Sequence, residues 1–320
     1  MGGFPSRSPP MPSALVPRTR LVSGPDGPLA VQQWGESGRS TIVLIHGYPD
    51  HSGIWSKIAP LLADQWHVVA YDVRGAGASF VPARTADYRL PRLVADLRAV
   101  IDATSPDRPV HLVAHDWGSI QGWEAVTDPT LRGRIASYSS CSGPCLDHAG
   151  HWMRDRLRRP TPRHLAQYLM QGLRSWYIAF FHLPVLPTVM WHTVMGPHWS
   201  RWLRWLERTP AEQRAGQTAD GVRGMRLYRA NMLPRLLGPG DRHAHAPVQV
   251  IVPLRDRFVG PALSDPAHLA RWVPQLHRVE VDAGHWLPLQ QPALFARLVR
   301  GFVRRVERQQ RQTGRQRIKA

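Results

Sequence analysis

A chain of 320 residues, 43% of them hydrophobic, can bury one large core with an inserted segment and does not require a second complete domain. Its formal net charge of +18, from 41 Lys+Arg against 23 Asp+Glu, would suit an anionic partner. No nucleic-acid-binding motif accompanies that charge, so a nucleic-acid partner is not expected.

Residues 1–18 are rich in Pro and hold no apolar run, which predicts a disordered leader rather than a secretory signal or a spanning helix. Alternation over residues 29–34 predicts a strand. The unbroken apolar run at 41–46 predicts another, of the kind buried on both faces of a parallel sheet. A helix at 54–63, a strand at 67–72, a helix at 90–103 and strands at 110–114 and 135–140 continue the alternation. Such a pattern argues for right-handed crossovers and an α/β fold with a mostly parallel, doubly wound sheet.

Cys141 and Cys145 are the two cysteines of the chain, too few for a disulfide framework. They read as buried free thiols in a reducing, cytoplasmic compartment. Residues 146–242 then change character: Trp, Arg, Pro and Met at helical spacing, with no clear strand. This segment is read as a helical cap inserted into a core made of residues 19–145 and 243–306. Its stretch 176–195 is apolar enough to raise a membrane question. Pro184, Pro187, His182 and His192 interrupt it, which favours an apolar lining or lid over a span and leaves peripheral membrane contact open. Strands are predicted again at 248–252 and 278–282, then a closing helix at 292–306. The basic tail at 307–320 is expected to fray. No motif bears on oligomeric state.

The sharpest chemical signal is VAHDWGS at 113–119. Ala114 and Gly118 flank Asp116 two positions to either side, as a tight strand-to-helix turn needs when its central side chain must stand clear of the backbone. Alone, Asp116 reads as a helix N-cap. Two further residues change that reading. Asp256 follows the strand at 248–252, and His285 lies in DAGHWLP at 282–288, after the last strand. Nucleophile, acid, histidine is a known chain order for a catalytic triad, and strand ends converge on one crevice in a doubly wound sheet. Taken singly, Asp256 could pair with Arg255 or Arg257, and His285 is one of sixteen histidines. The motif HGYP at 46–49 follows the first buried strand, so the backbone amides of Tyr48 and Trp117 are candidate oxyanion-hole donors. DVRGAGAS at 72–79 lacks the third glycine of a dinucleotide loop and reads as a turn.

At these residues, His46 to Pro49, Asp72 to Ser79 with Pro82, Ala114 to Gly118 and Ala283 to His285, the chain resembles the epoxide hydrolases of the α/β-hydrolase superfamily over about residues 20–306. It is similar to bacterial members sometimes fused to a short-chain dehydrogenase. The chain ends before any such segment, so neither nicotinamide chemistry nor any other cofactor or metal is expected. The resemblance extends to Tyr177, in YIAFFH at 177–182, and Tyr228, in LYRAN at 227–231. Both resemble cap motifs that place two phenols over the nucleophile, although His182 stands where the family commonly has Gln.

An aspartate nucleophile restricts the chemistry. A carboxylate attacks an ester or amide poorly, because the anhydride formed is too reactive, yet it displaces a leaving group at saturated carbon well. Attack by Asp116 would give an alkyl ester, and His285, oriented by Asp256, would activate water against it. Epoxide opening and carbon–halogen hydrolysis both fit. The epoxide oxygen needs a proton donor, which Tyr177 and Tyr228 would supply, and a dehalogenase would usually carry Asn at the position of Tyr48. The expectation is therefore a hydrolase that converts a small apolar epoxide and water to a vicinal diol, with a dehalogenase or a non-catalytic binding protein as alternatives. Activity should fall in acid near ~6.5 for an unperturbed histidine.

Overall fold

The computed structural model of the chain describes residues 16–209 and 211–319. Of the leader expected over 1–18, only residues 16–18 lie among them, and Arg18 already opens a strand. The sheet order is β1 (Arg18–Ser23), β2 (Pro28–Trp34), β4 (His67–Tyr71), β3 (Thr41–Ile45), β5 (Val110–His115), β6 (Ile135–Cys141), β7 (Val248–Pro253), β8 (Leu276–Val281). β2 pairs antiparallel with both β1 and β4, and every pairing from β4 across to β8 is parallel. All residues of β3 to β7 are buried. That burial on both faces is why these strands read as continuous apolar runs rather than alternating ones.

The topology fixes where chemistry can occur. From β3 the chain crosses to β4 on one side and then to β5 on the other. The direction of winding thus reverses between β3 and β5, and the crevice beyond their carboxyl ends is the place where such sheets bind ligands.

The helix expected at 54–63 is interrupted. A 3₁₀ turn at Ser52–Trp55 is followed by the short α1 (Ala59–Leu62). Pro60 has no amide to continue an earlier helix but is tolerated in the first turn of a new one. Helices α2 (Leu90–Thr104) and α3 (Trp117–Val126) match the crossovers predicted on either side of β5. Near the C-terminus come α10 (Pro266–Leu269), α11 (Leu287–Gln290) and α12 (Pro292–Lys319). The tail does not fray at residue 307: α12 runs on to Lys319. Glu307 anchors it, accepting a bond from Trp66 Nε1 at 3.0 Å and lying 3.7 Å from His111 Nε2. The Gln- and Arg-rich sequence that follows favours helix once the preceding turns are fixed.

Between β6 and β7 lie α4 (Leu146–Arg158), α5 (Pro162–Arg174), α6 (Trp176–Phe181), α7 (Leu186–Met190), α8 (Trp199–Glu207) and α9 (Gln217–Leu237). No strand occurs among the described residues of this segment. α9 ties it to the sheet domain: Asn231 accepts from the Leu90 amide and donates to the Tyr88 carbonyl, both at 2.9 Å. Arg235 reaches Glu124 at 2.6 Å and Asp147 at 3.2 Å. Within the 176–195 stretch, Phe181 and Trp191 are buried while Leu183, Val185, Leu186 and Val189 are exposed. No helix among the described residues is long and apolar enough to cross a membrane.

Candidate active site

Asp116 stands at the junction of β5 and α3 with φ +53° and ψ −122°. This is a left-handed backbone that only a close-fitted surround sustains in a non-glycine residue. Its neighbours show how. A β-carbon on Gly118 would fall on the Ile45 and His46 carbonyls, and one on Gly143 would fall on the carbonyl of Asp116 itself. Neither position admits a side chain. The turn therefore lifts Asp116 beyond the carboxyl end of β5, against the loop after β3.

That loop holds the carboxylate from one side. The Tyr48 amide donates to Asp116 Oδ1 at 2.6 Å. His46 braces the loop: its Nε2 accepts from the Val73 amide and its Nδ1 donates to the Gly47 carbonyl, each at 2.9 Å. An acceptor at Nε2 requires a neutral ring, and burial lowers its pKa accordingly. The turn at 72–79 has a structural role here. Asp72 accepts from the amides of Ser52 and Ala78 at 2.8 Å, and Arg74 forms a buried two-point pair with Asp96 at 2.6 and 2.7 Å. The Trp117 amide, at the first position of α3, has no hydrogen-bond partner among the described residues.

The other carboxylate oxygen faces the histidine. His285 Nε2 lies 3.4 Å from Asp116 Oδ2, and its Nδ1 lies 2.9 and 3.1 Å from the two oxygens of Asp256. Asp256 is itself fixed by the amides of Phe258 and Val259, which donate to its Oδ1 at 2.8 and 2.9 Å. Burial would raise its pKa, but the charge and hydrogen bond of His285, with those two amides, outweigh burial and hold it below the ordinary carboxylate range. The converse applies to His285. Burial opposes its charge, yet Asp256 and Asp116 on either side carry its pKa up to about 10. The ring is therefore not the unperturbed histidine assumed for a fall near ~6.5: the two carboxylates beside it favour its protonated form.

Tyr177 and Tyr228 reach the same place from α6 and α9. Both line the cavity that opens on Asp116, together with Trp117, Ile120, Met232 and Phe258. Tyr228 packs edge-on against Trp117 with ring centroids 4.8 Å apart, and against Tyr177 at 5.8 Å. Burial raises the pKa of both phenols, and the negative charge of Asp116 adds to it. In the resting protein both hydroxyls hold their protons. His182, the departure from the family pattern, bonds the Ile178 carbonyl through Nδ1 at 2.8 Å. Asp116, Asp256, His285, Tyr48, Trp117, Tyr177 and Tyr228 thus lie in one neighbourhood.

Other contributors carry no readable signal. His115 Nε2 bonds the His285 carbonyl at 2.8 Å, and Ser142 Oγ donates to the same oxygen at 3.2 Å. Together they fix the backbone from which the His285 ring projects. Burial lowers the His115 pKa to about 4, so it serves as a neutral strut. His115 belongs to the elbow motif, but nothing in a sequence says that its ring turns toward residue 285.

The profile of the family described as "alpha/beta hydrolase fold" matches residues 40–292. The chain belongs to the α/β-hydrolase fold family. Among its relatives in that family, "Probable oxidoreductase EphD" of Mycobacterium tuberculosis is 36% identical over 293 residues, covering 89% of this chain and 49% of that protein. The chain thus spans about half the length of that relative. "Epoxide hydrolase A" of the same organism is 30% identical over 262 residues, or 81% of this chain and 67% of that one. Among solved structures, the epoxide hydrolase of Bacillus megaterium in complex with an inhibitor superposes with a TM-score of 0.73 at 20% identity, covering 89% of this chain and all of the other. At that identity the likeness shows the shared α/β-hydrolase fold.

Proposed function

We propose that this α/β-hydrolase opens apolar epoxides with water, giving vicinal diols through an ester on Asp116. The reading rests above all on one arrangement: a carboxylate whose Oδ1 is taken by the Tyr48 amide and whose Oδ2 faces His285, at a cavity that Asp116 lines together with two protonated phenols. Oδ2 is the free nucleophile. It attacks an epoxide carbon as the oxygen of the opening ring takes a proton from Tyr177 or Tyr228. Oδ1 then becomes the ester carbonyl oxygen, already in its hydrogen bond. Water activated by His285 adds to that carbonyl, and the Tyr48 amide, with the Trp117 amide as second donor, holds the oxyanion. Collapse frees the diol and restores the carboxylate. The apolar lining, with Ile120, Leu146, Met153 and Met232, favours a hydrocarbon-like substrate.

A single turnover in ¹⁸O-labelled water tests both the reaction and the route. The diol should emerge unlabelled and the heavy oxygen should appear on Asp116, because water adds to the ester and not to the substrate carbon. Label in the diol would exclude the ester. Halide release from haloalkanes without any diol from epoxides would transfer the same nucleophile to dehalogenation.

The charges also set a pH dependence. The raised pKa of His285 owes part of its rise to Asp116, and esterification removes that charge. The histidine therefore loses its proton more readily in the ester than in the resting protein, and the proton it gives up restores the one the phenol passed to the opened ring oxygen. Ester hydrolysis needs the neutral ring, so kcat should fall as pH falls through the pKa of His285 in the ester, which lies below about 10. Rapid-quench measurement of ester decay against pH reads this directly. Decay unchanged from roughly pH 5 to 9 would contradict a histidine base.

A further inference from the structure

Helix α5 is packed inside out. Its polar residues face the protein: Gln167 accepts from Arg156 Nε at 3.0 Å, and Gln171 donates to the Phe258 carbonyl and accepts from the Gly260 amide, both at 2.9 Å. Its apolar residues face out. Leu165, Leu169 and Leu173 succeed one another at four-residue spacing, so they share one face, and the exposed Trp176 opens α6 just beyond the helix end. They are 42%, 63%, 68% and 64% exposed. No residue of α5 is buried. A helix on a protein surface ordinarily turns such a stripe to the core, and an exposed one marks a face that something else covers.

The charge around the stripe indicates what covers it. From Arg156 to Leu206 the sequence contains no Asp or Glu, while Arg156, Arg158, Arg159, Arg163, Arg174, Arg201 and Arg204 all fall within that span. Arg158, Arg159 and Arg163, beside the start of α5, are exposed. None of the three enters an ion pair among the described residues. An exposed apolar stripe with free cations beside it, in a sequence span without acidic residues, matches the boundary of an anionic bilayer, where leucine and tryptophan side chains enter the acyl region and guanidinium groups meet phosphates. A second copy of the chain fits less well, because pairing this face with itself would bring like charges together.

We propose that the α5 face docks this protein on an anionic lipid surface. The docked helix is also the outer side of the cavity wall, since Gln171 and, beyond the helix end, Ser175, Tyr177 and Ile178 line the space that opens on Asp116. Docking does not depend on which reaction Asp116 performs, and its test reads binding alone.

Co-sedimentation with phosphatidylcholine vesicles, with and without phosphatidylglycerol, decides the matter. The full chain should pellet with the phosphatidylglycerol vesicles and release with added salt. A Leu169→Glu/Leu173→Glu variant should bind roughly tenfold or more weakly, and so should Arg158→Gln/Arg159→Gln/Arg163→Gln, which leaves the leucines intact and decides the question if the first variant fails to fold. Wild-type protein that stays in the supernatant, or binding equal in wild type and both variants, would overturn the proposal. So would a dimer in sedimentation velocity that Leu169→Glu/Leu173→Glu dissolves without any vesicle binding, which would assign the face to a second copy.

Discussion

Replacing His285 by Gln is expected to leave a protein that consumes one equivalent of epoxide and stops. Attack by Asp116 Oδ2 requires no base, because a carboxylate is itself the nucleophile and the Tyr48 amide holds it in place. Only the second step draws on His285, whose Nε2 faces Asp116 and whose Nδ1 is fixed by Asp256. Loss of a general base costs ~10²–10⁴ in rate. Multiple turnover should therefore fall by about three orders of magnitude while the adduct forms at a rate near that of wild type. Intact mass after substrate addition should rise by the mass of the epoxide, and peptide mapping should place the addition on Asp116. An Asp116→Asn control should show no addition at all. A folded His285→Gln variant with neither adduct nor turnover would remove the two-step scheme.

Much of this machinery could be read from the sequence for reasons visible in the structure. β3 and β5 are buried on both faces, so the chain writes them as unbroken apolar runs, and the elbow between β5 and α3 needs small residues where backbone crowds backbone. Gly118 and Gly143 meet carbonyl groups, yet only Gly118 sits close enough to Asp116 in sequence to be noticed. The convergence of Asp256 and His285 follows from strand order alone, because both stand just beyond carboxyl ends of adjacent strands. The protonation state of His285 did not follow. It depends on a distance of 3.4 Å to Asp116 and on complete burial, neither of which residue types encode. The inserted helices were the least legible. Periodicity shows that α5 has an apolar face but not which way that face turns, and its inward anchors are hydrogen bonds that Gln167 accepts from Arg156 and Gln171 accepts from a residue as distant as Gly260. The apolar stretch at 176–195, which drew the membrane question, partly buries itself through Phe181 and Trp191. The exposed stripe starts earlier in the insertion, at Leu165, where leucines are spaced among glutamines and arginines.

The double variant Tyr177→Phe/Tyr228→Phe is expected to fail at the opposite end of the cycle from His285→Gln. An alkoxide expelled without a proton is a poor leaving group, and both phenols line the cavity above the nucleophile. Burial and then the Asp116 charge keep them protonated at rest. As Asp116 becomes an ester its charge vanishes, so part of the penalty on the phenolate disappears just as the ring oxygen takes up a proton. The donors become more acidic at the moment they are used. Either tyrosine alone can still donate, so each single variant should lose about tenfold, whereas the pair should lose ~10³ in kcat/KM for epoxides. The decisive signature is where the loss falls. Ester formation should slow by the full factor, so that adduct builds up ~10³ more slowly in a Tyr177→Phe/Tyr228→Phe/His285→Gln background, where any ester formed would persist, than in His285→Gln alone. A double variant that retains epoxide opening within about tenfold of wild type would strip both tyrosines of the donor role. Asp116 would remain the nucleophile, and its leaving group would need no proton.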